Sequence, residues 1–165
     1  MQYTATTSMG PESTRHTSIG KLIGLIQKPI QALRVVSPLL DLAIRLYIAN
    51  VFFKSGLTKI ANWQSTLALF ENEYAVPLLP SNVAAFLGTA VELAVPVLLV
   101  LGLSTRFAAI VLFVFNIIAM ISYPDLSEAG REQHMLWGLL MLVTIFHGPG
   151  KLSLDHLIRR KFWRE

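Results

Sequence analysis

The sequence has no cysteine and little charge, and both absences narrow the classes of protein to which it can belong. None of the 165 residues is Cys, which excludes disulfides, thiolate metal sites and any dithiol relay. Charged residues make up 15% of the chain and hydrophobic residues 53%, whereas soluble domains have about 25% and about 45–50%. With a mean hydropathy of +0.55, this composition indicates an integral membrane protein with one domain, or one domain and a tail.

The basic residues that give the net charge of +4 stand at the ends of apolar runs and are not interleaved with aromatic residues. This placement is typical of a signal that orients membrane helices, and it does not resemble a nucleic-acid surface. We therefore expect no nucleic-acid partner.

The N-terminal part of the chain differs from the rest. Residues 1–18 are rich in Ser and Thr and have too few large apolar side chains to offset the entropy of ordering, so we expect a disordered tail. Over residues 19–37 the apolar and basic residues fall on opposite sides of a helical wheel. This pattern predicts an amphipathic helix in the membrane interface, kinked or divided at Pro29. A soluble amphipathic linker is the alternative.

Four apolar stretches follow, at about residues 38–59, 83–103, 107–123 and 132–147. A membrane crossing needs about 20 residues, so the first and fourth stretches depend on their polar flanks. We predict an all-α membrane domain of four antiparallel spans over residues 38–147, a lid over 61–82 with a short helix at 63–71, and a basic tail over 148–165. Basic and acidic connections alternate, which favours four crossings with both termini in the cytoplasm.

Three polar residues on different predicted spans lie near the middle of the membrane: Asn50, Glu92 and Asn116. A carboxylate at this depth is costly unless it is protonated, paired or in contact with water, so Glu92 is a candidate functional residue. Arg45 and Lys54 are its candidate partners, and they lie on nearly opposite sides of their helix.

Asn50 and Lys54 are separated by four residues and share a helix face. We therefore predict a polar seam of Lys54, Asn50, Glu92 and Asn116, with Arg45 held toward the cytoplasm by Asp41. The seam can be a pocket for a quinone head group or another small polar ligand, in which Glu92 exchanges a proton. It can equally be a set of interhelical hydrogen bonds without chemistry.

The remaining polar residues favour structural roles. His134 and His147 flank the last predicted span at opposite ends and cannot chelate one metal ion, so no metal centre is expected. Thr105 is placed to cap the third span, and Arg106 to bind lipid phosphate or a carboxylate. Ser153 is placed to cap a short C-terminal helix.

Four segments together resemble the DoxX family of small bacterial inner-membrane proteins: residues 45–59, 88–92, 101–106 and 148–155. The resemblance implies a four-helix domain in the bacterial inner membrane with both ends cytoplasmic. Carried over by position, it implies roles for seven residues: Arg45, Gly56, Lys59, Glu92, Arg106, Ser153 and Asp155.

Some relatives in this family resemble membrane subunits of thiosulfate:quinone oxidoreductases, and others are linked to oxidative-stress complexes. The resemblance thus implies a membrane subunit or anchor of a redox or detoxification system, near a quinone. Since the chain offers no redox centre of its own, we expect a protein partner to carry the electron-transfer cofactors. A small-molecule carrier or permease and a purely structural assembly subunit stay open.

Overall fold

The structure is a computed structural model that describes the backbone of residues 12–162 and the side chains of residue 33 and residues 35–162. These described residues form six helices and no strand. The helices are α1 (Glu12–Ala61), α2 (Trp63–Asn72), α3 (Ser81–Leu101), α4 (Thr105–Ser122), α5 (Glu128–His147) and α6 (Leu154–Phe162). The all-α class predicted from the sequence is confirmed for this part of the chain.

The chain divides into two units, Met1–Ser37 and Pro38–Glu165. In the first unit, α1 begins at Glu12 and is helical through Pro29. Residues 12–18 of the expected tail are therefore helical, and residues 1–11 lie outside the described part. The side chains that would form the expected amphipathic surface over residues 19–32 also lie outside it, so that surface remains a prediction.

The core of the second unit draws buried apolar side chains from α1, α3, α4 and α5. Ala49, Ala108 and Ala109 are small and almost fully buried, which lets the helix backbones approach closely, as is usual between membrane helices. The aromatic ring of Phe52 lies 5.9 Å from that of Trp137 and 6.1 Å from that of Phe115, both edge to face. These contacts bring α1, α4 and α5 together around one aromatic cluster.

Three described helices are long and apolar enough to cross a membrane: Val35–Ala61 within α1, then α3 and α4. Their outer surfaces expose large apolar side chains such as Phe86 and Phe107. Helix α5 occupies the position of the fourth predicted span but does not belong to this set, because its first turns carry Glu128, Arg131 and Glu132.

Helix α2 lies where the sequence predicts a short helix in the 61–82 connection, and that prediction is confirmed. The Asn62 side chain caps it by accepting a hydrogen bond from the backbone N–H of Ser65 at 3.1 Å. Phe70 packs against Ala84 and Ala85 at the start of α3. This packing holds α2 against the N-terminal part of α3.

The C-terminal helix α6 is fastened to the turn between α3 and α4. The Asp155 carboxylate accepts hydrogen bonds from the backbone N–H groups of Ser104 and Thr105, both at 2.8 Å. The prediction that the Thr105 side chain caps α4 is therefore wrong, because a carboxylate from α6 occupies that place. The Ser153 cap is confirmed, since its hydroxyl accepts the backbone N–H of His156 at 3.2 Å.

Candidate functional site

A cavity of about 500 Å³ lies inside the second unit. Its walls come from α1 to α5 and from the connections at residues 73–80 and 123–127. Most of the lining is aliphatic or aromatic, and the polar side chains are few: Ser55, Lys59, Tyr74, Glu92, Ser122, Tyr123 and His134, with the indole of Trp137. A concave, mostly apolar space with a few convergent polar groups is typical of a small-molecule site.

An ion pair between α1 and α3 lines one side of the cavity. The ammonium of Lys59 lies 2.6 and 2.8 Å from the two carboxylate oxygens of Glu92. The Ser55 hydroxyl donates to Glu92 at 3.1 Å and accepts from Lys59 at 2.9 Å. Glu92 is only 4% exposed, so these charge-assisted hydrogen bonds supply the pairing that a buried carboxylate requires.

Gly56 allows α1 to approach α3 at this level. A Cβ atom at Gly56 would lie 2.8 Å from a methyl carbon of Leu93 and 3.1 Å from the Cβ of Glu92. A side chain at this position would require the Leu93 side chain to move or the two helices to separate. The resemblance marked Gly56 and Lys59 together, and the close approach explains why both residue types are needed.

The predicted polar seam is wrong in its choice of partners. Lys54 and Asn50 are exposed on α1, and Glu92 is bonded instead to Lys59 and Ser55. The reason is helical geometry, since Ser55 and Lys59 are four residues apart and share a face. Lys54 precedes Lys59 by five residues and points to a different side.

Asn116 forms a second polar pair with His134, which also lines the cavity. Its amide oxygen lies 2.8 Å from Nδ1 of His134, and its amide nitrogen donates to the backbone carbonyl of His134 at 2.9 Å. The amide orientation requires a hydrogen on Nδ1, so the other ring nitrogen of a neutral His134 is an acceptor. Asn116 thus connects α4 with α5 and is not bonded to Glu92.

Two buried polar atoms beside the cavity have no hydrogen-bond partner among the described residues, the indole nitrogen of Trp137 and the hydroxyl of Ser122. Leaving such a group unpaired costs about 1–3 kcal/mol. Both residues line the cavity, but the two atoms themselves are fully buried, so a ligand can pair with them only after the side chains shift.

Two tyrosine rings close another part of the cavity, with Tyr74 and Tyr123 packed edge to face at 5.3 Å. Burial raises the pKa of Tyr74, and the negative charge of Glu92 raises it further. The phenol therefore keeps its proton at neutral pH and is a hydrogen-bond donor.

Arg45 is 1% exposed but lies outside the cavity lining. Its guanidinium donates to the backbone carbonyls of Leu152 and Leu99, the latter at 3.5 Å. The expected Asp41–Arg45 bond is wrong, because the Asp41 carboxylate lies 2.8 Å from Nδ1 of His147 instead.

Three other residues marked by the resemblance lie near Arg45, where the α3–α4 turn meets the C-terminal segment. Arg106 packs against Gly148, where an added Cβ would lie 3.1 Å from a guanidinium nitrogen. Ser153 and Asp155 fasten α6 as described above. Together with Arg45, they hold the α3–α4 turn and the C-terminal segment in place.

Among the side chains of residues 35–162, no group of three or more from His, Asp or Glu is arranged to hold a metal ion. Of the eight polar cavity residues, sequence reasoning placed only Glu92 in a pocket and missed the other seven: Ser55, Lys59, Tyr74, Ser122, Tyr123, His134 and Trp137. The spacing of Ser55 and Lys59 was the signal available for these two, whereas the others reach the cavity through packing between distant segments.

The chain is similar to a known protein family and to a curated protein. The DoxX family model matches residues 40–124, a region that contains Arg45, Gly56, Lys59 and Glu92. A Haemophilus influenzae protein named only as uncharacterized is 31% identical over 128 residues, which cover 73% of this chain and 84% of that protein. No solved structure matches the chain.

Proposed function

Because this chain belongs to the DoxX family of membrane proteins, we propose that it is a membrane subunit or anchor of a redox or detoxification system. In this proposal the cavity receives the head group of a membrane quinone. The observation that carries the proposal is the coexistence of an ion pair and an unpartnered indole N–H in one apolar cavity.

The volume and lining of the cavity suit a ligand with a flat ring and oxygen atoms on opposite sides of that ring. Its volume of about 500 Å³ lies within the range of about 300–1,000 Å³ for small-molecule sites. In this proposal Lys59 turns one N–H from Ser55 toward a quinone oxygen, and Trp137, whose indole N–H has no partner, lies in the cavity wall beside the aromatic cluster. The two quinone carbonyl oxygens need such donors, and the ring needs the apolar walls.

The proposed chemistry assigns electrons and protons to different sources. Conversion of a quinone into a quinol takes two electrons and two protons. The electrons come from a redox cofactor of a partner protein, since the chain has no cysteine. Lys59 and Glu92 form the polar contact through which protons reach the carbonyl oxygens.

The proposed membrane arrangement has four crossings, with both termini in the cytoplasm of a bacterial inner membrane. α5 is the fourth crossing, which is supported by Met141, because this residue lies in the same buried cluster as residues of α1, α3 and α4. The alternation of basic and acidic connections supports the same count. The α2 lid then faces away from the cytoplasm, and the junction of Arg45 and Asp155 faces toward it.

The test is quinone binding by the full chain in lipid nanodiscs, using decylubiquinone and isothermal titration calorimetry. We expect saturable binding that weakens at least tenfold in Glu92→Gln and in Lys59→Met. Lys54→Met is the matched control, since it removes an exposed cation from the same helix and should bind as the natural chain does. Absence of saturable binding, or equal weakening in the control, would contradict the proposal.

A further inference from the structure

The outer surface of α1 carries two polar residues at a level where a membrane protein normally presents only apolar side chains. Asn50 and Lys54 are both exposed, within the candidate span Val35–Ala61. Their neighbours on the same side of the helix are Leu46, Phe53 and Leu57, which are also exposed. We call these five residues the outer face of α1.

The depth of Lys54 follows from the packing of α1 on α3. Gly56 lies against Glu92 and Leu93, which are in the middle of the candidate span Ser81–Leu101. Lys54 precedes Gly56 by two residues, or about 3 Å along the helix axis. The half-thickness of the hydrocarbon core is about 15 Å, and the candidate span of α1 ends at Ala61, about 10 Å beyond Lys54. The Lys54 ammonium therefore lies inside the core unless its stem extends along the helix toward that end.

A groove runs beside the outer face of α1. It has a volume of about 310 Å³ and lies between α1 and α3, lined by Ala49, Asn50 and Phe53 on one side and by Pro96, Val97 and Val100 on the other, among others. Asn50 thus belongs both to the groove and to the face that carries Lys54. A second apolar helix can pack along the groove while its polar groups meet Asn50 and Lys54.

We propose that the outer face of α1 binds a transmembrane helix of another protein that carries a carboxylate at the level of Lys54. A charged side chain inside the membrane is stabilised by an opposite charge, and the amide of Asn50 can donate a second hydrogen bond to the same carboxylate. This inference rests on the proposed role as a membrane subunit and gives the chemistry by which the partner is recognised.

Charge disfavours a second copy of this chain as the occupant. Symmetric packing of two such faces would bring Lys54 near its own counterpart, and like charges at close range are repulsive. Depth disfavours lipid phosphate, since headgroups lie outside the hydrocarbon core. A helix bearing Asp or Glu satisfies the charge and the depth together.

The proposal is tested with synthetic transmembrane helices of leucine and alanine that differ at one central position. Peptides with Glu, Gln or Leu there are labelled with an acceptor dye and mixed in phosphatidylcholine vesicles with the donor-labelled full chain. We expect the Glu peptide to bind at least tenfold more tightly than the Leu peptide. Lys54→Leu should remove this difference, Lys54→Arg should keep it, and Asn50→Leu should reduce it severalfold.

The controls separate this surface from the cavity. Lys151→Leu removes an exposed cation outside the candidate spans and should bind the Glu peptide normally. Equal binding of the three peptides, or unchanged binding by Lys54→Leu, would overturn the proposal. Energy transfer between two copies of the chain that is lost in Asn50→Leu, without binding of the Glu peptide, would overturn it in favour of a homodimer. Quinone binding by Lys54→Leu, measured separately, tests the cavity, which Lys54 does not line.

Discussion

Glu92 and Lys59 illustrate how a buried ion pair depends on both members. In an apolar cavity wall, either charge alone would lose its hydrogen-bonding partner while it remained shielded from water. Removing one member of such a pair costs about 3–5 kcal/mol, whereas replacing both with apolar residues is often neutral. The pair is therefore a poor source of net stability, which is consistent with retention for a purpose other than folding.

We predict that Lys59→Met destabilises the folded chain by about 3–5 kcal/mol and that Lys59→Met combined with Glu92→Leu restores most of the loss. The single change leaves Glu92 buried without its ammonium partner. Reversible unfolding in mixed micelles, followed by circular dichroism, measures both free energies. Lys151→Met is the control, because Lys151 is exposed outside the candidate spans, and it should change the free energy of unfolding by less than about 0.5 kcal/mol.

Individual residues of the site differ in how well the sequence predicts their position. Depth along a helix follows from rise per residue, so Glu92 was selected correctly as a polar group needing a partner. Depth does not specify which side of the neighbouring helix faces that group, and Lys54 was chosen over Lys59 for that reason. Trp137 enters the cavity through contacts among distant segments, which no local spacing reveals.

At the scale of helices, the start of α4 depends on a carboxylate from α6. The first backbone N–H groups of a helix lack partners within the helix, and Asp155 accepts two of them, from Ser104 and Thr105. The negative charge also stabilises the positive end of the helix dipole. Asp155 thus fastens the α3–α4 turn to the C-terminal segment.

We predict that Asp155→Ala lowers the free energy of unfolding by about 1–2 kcal/mol, in the range of lost helix caps. Ser127 provides a comparison, because its side chain caps α5 through the N–H of Gly130 at 3.1 Å. Ser127→Ala should cost a similar amount without changing the accessibility of the C-terminal segment to protease. Faster cleavage near α6 should occur only in Asp155→Ala, and unchanged cleavage would contradict the fastening role.

The pH dependence of this contact has a definite sign. Burial raises the pKa of Asp155, but the two backbone hydrogen bonds and Arg159 outweigh it, so the pKa falls below its ordinary value of 3.8. The carboxylate therefore stabilises the fold above about pH 4, and this stabilisation is lost as the pH falls through the lowered pKa. Unfolding measured from pH 6 to pH 3 should show a decline that is smaller in Asp155→Asn. Identical slopes in the two proteins would show that another group controls it.

The end of α3 requires glycine at position 102 for two reasons. Gly102 has φ +67°, and a Cβ there would lie 2.6 Å from the Cβ of Ser153 and against the guanidinium of Arg45. We predict that Gly102→Ala destabilises the chain by about 1–3 kcal/mol. Gly88→Ala is the matched control, because its added Cβ meets no atom closer than 3.6 Å and alanine is the better helix former.

Helix ends were easier to predict than their partners. The last apolar stretch was predicted to end at residue 147, and α5 ends at His147. The break predicted between residues 103 and 107 is also present, since α3 ends at Leu101 and α4 begins at Thr105. The cap of α4 was assigned to Thr105, because local sequence contains no sign that a carboxylate fifty residues later reaches the same N–H groups.

At the scale of the whole molecule, the number of membrane crossings depends on α5. Its length of 20 residues is sufficient for a crossing, but its first turns are too polar to place it with the three apolar spans. In our proposal α5 crosses the membrane, because it packs in the buried core. Met141 is buried in the same core as Leu99 and Leu112, and a helix lying on the membrane surface could not contribute to a core shared by α3 and α4.

The natural absence of cysteine makes this arrangement directly measurable. Asp125→Cys and Lys151→Cys would place single thiols at exposed positions on either side of α5. We predict that a membrane-impermeant maleimide added to intact cells labels Cys at position 125, and that labelling at position 151 requires permeabilised cells. If α5 does not cross, both positions lie on the same side and label alike. Asn72→Cys, in the α2 lid, is the control on the outer side, because two crossings separate it from position 125 in our arrangement.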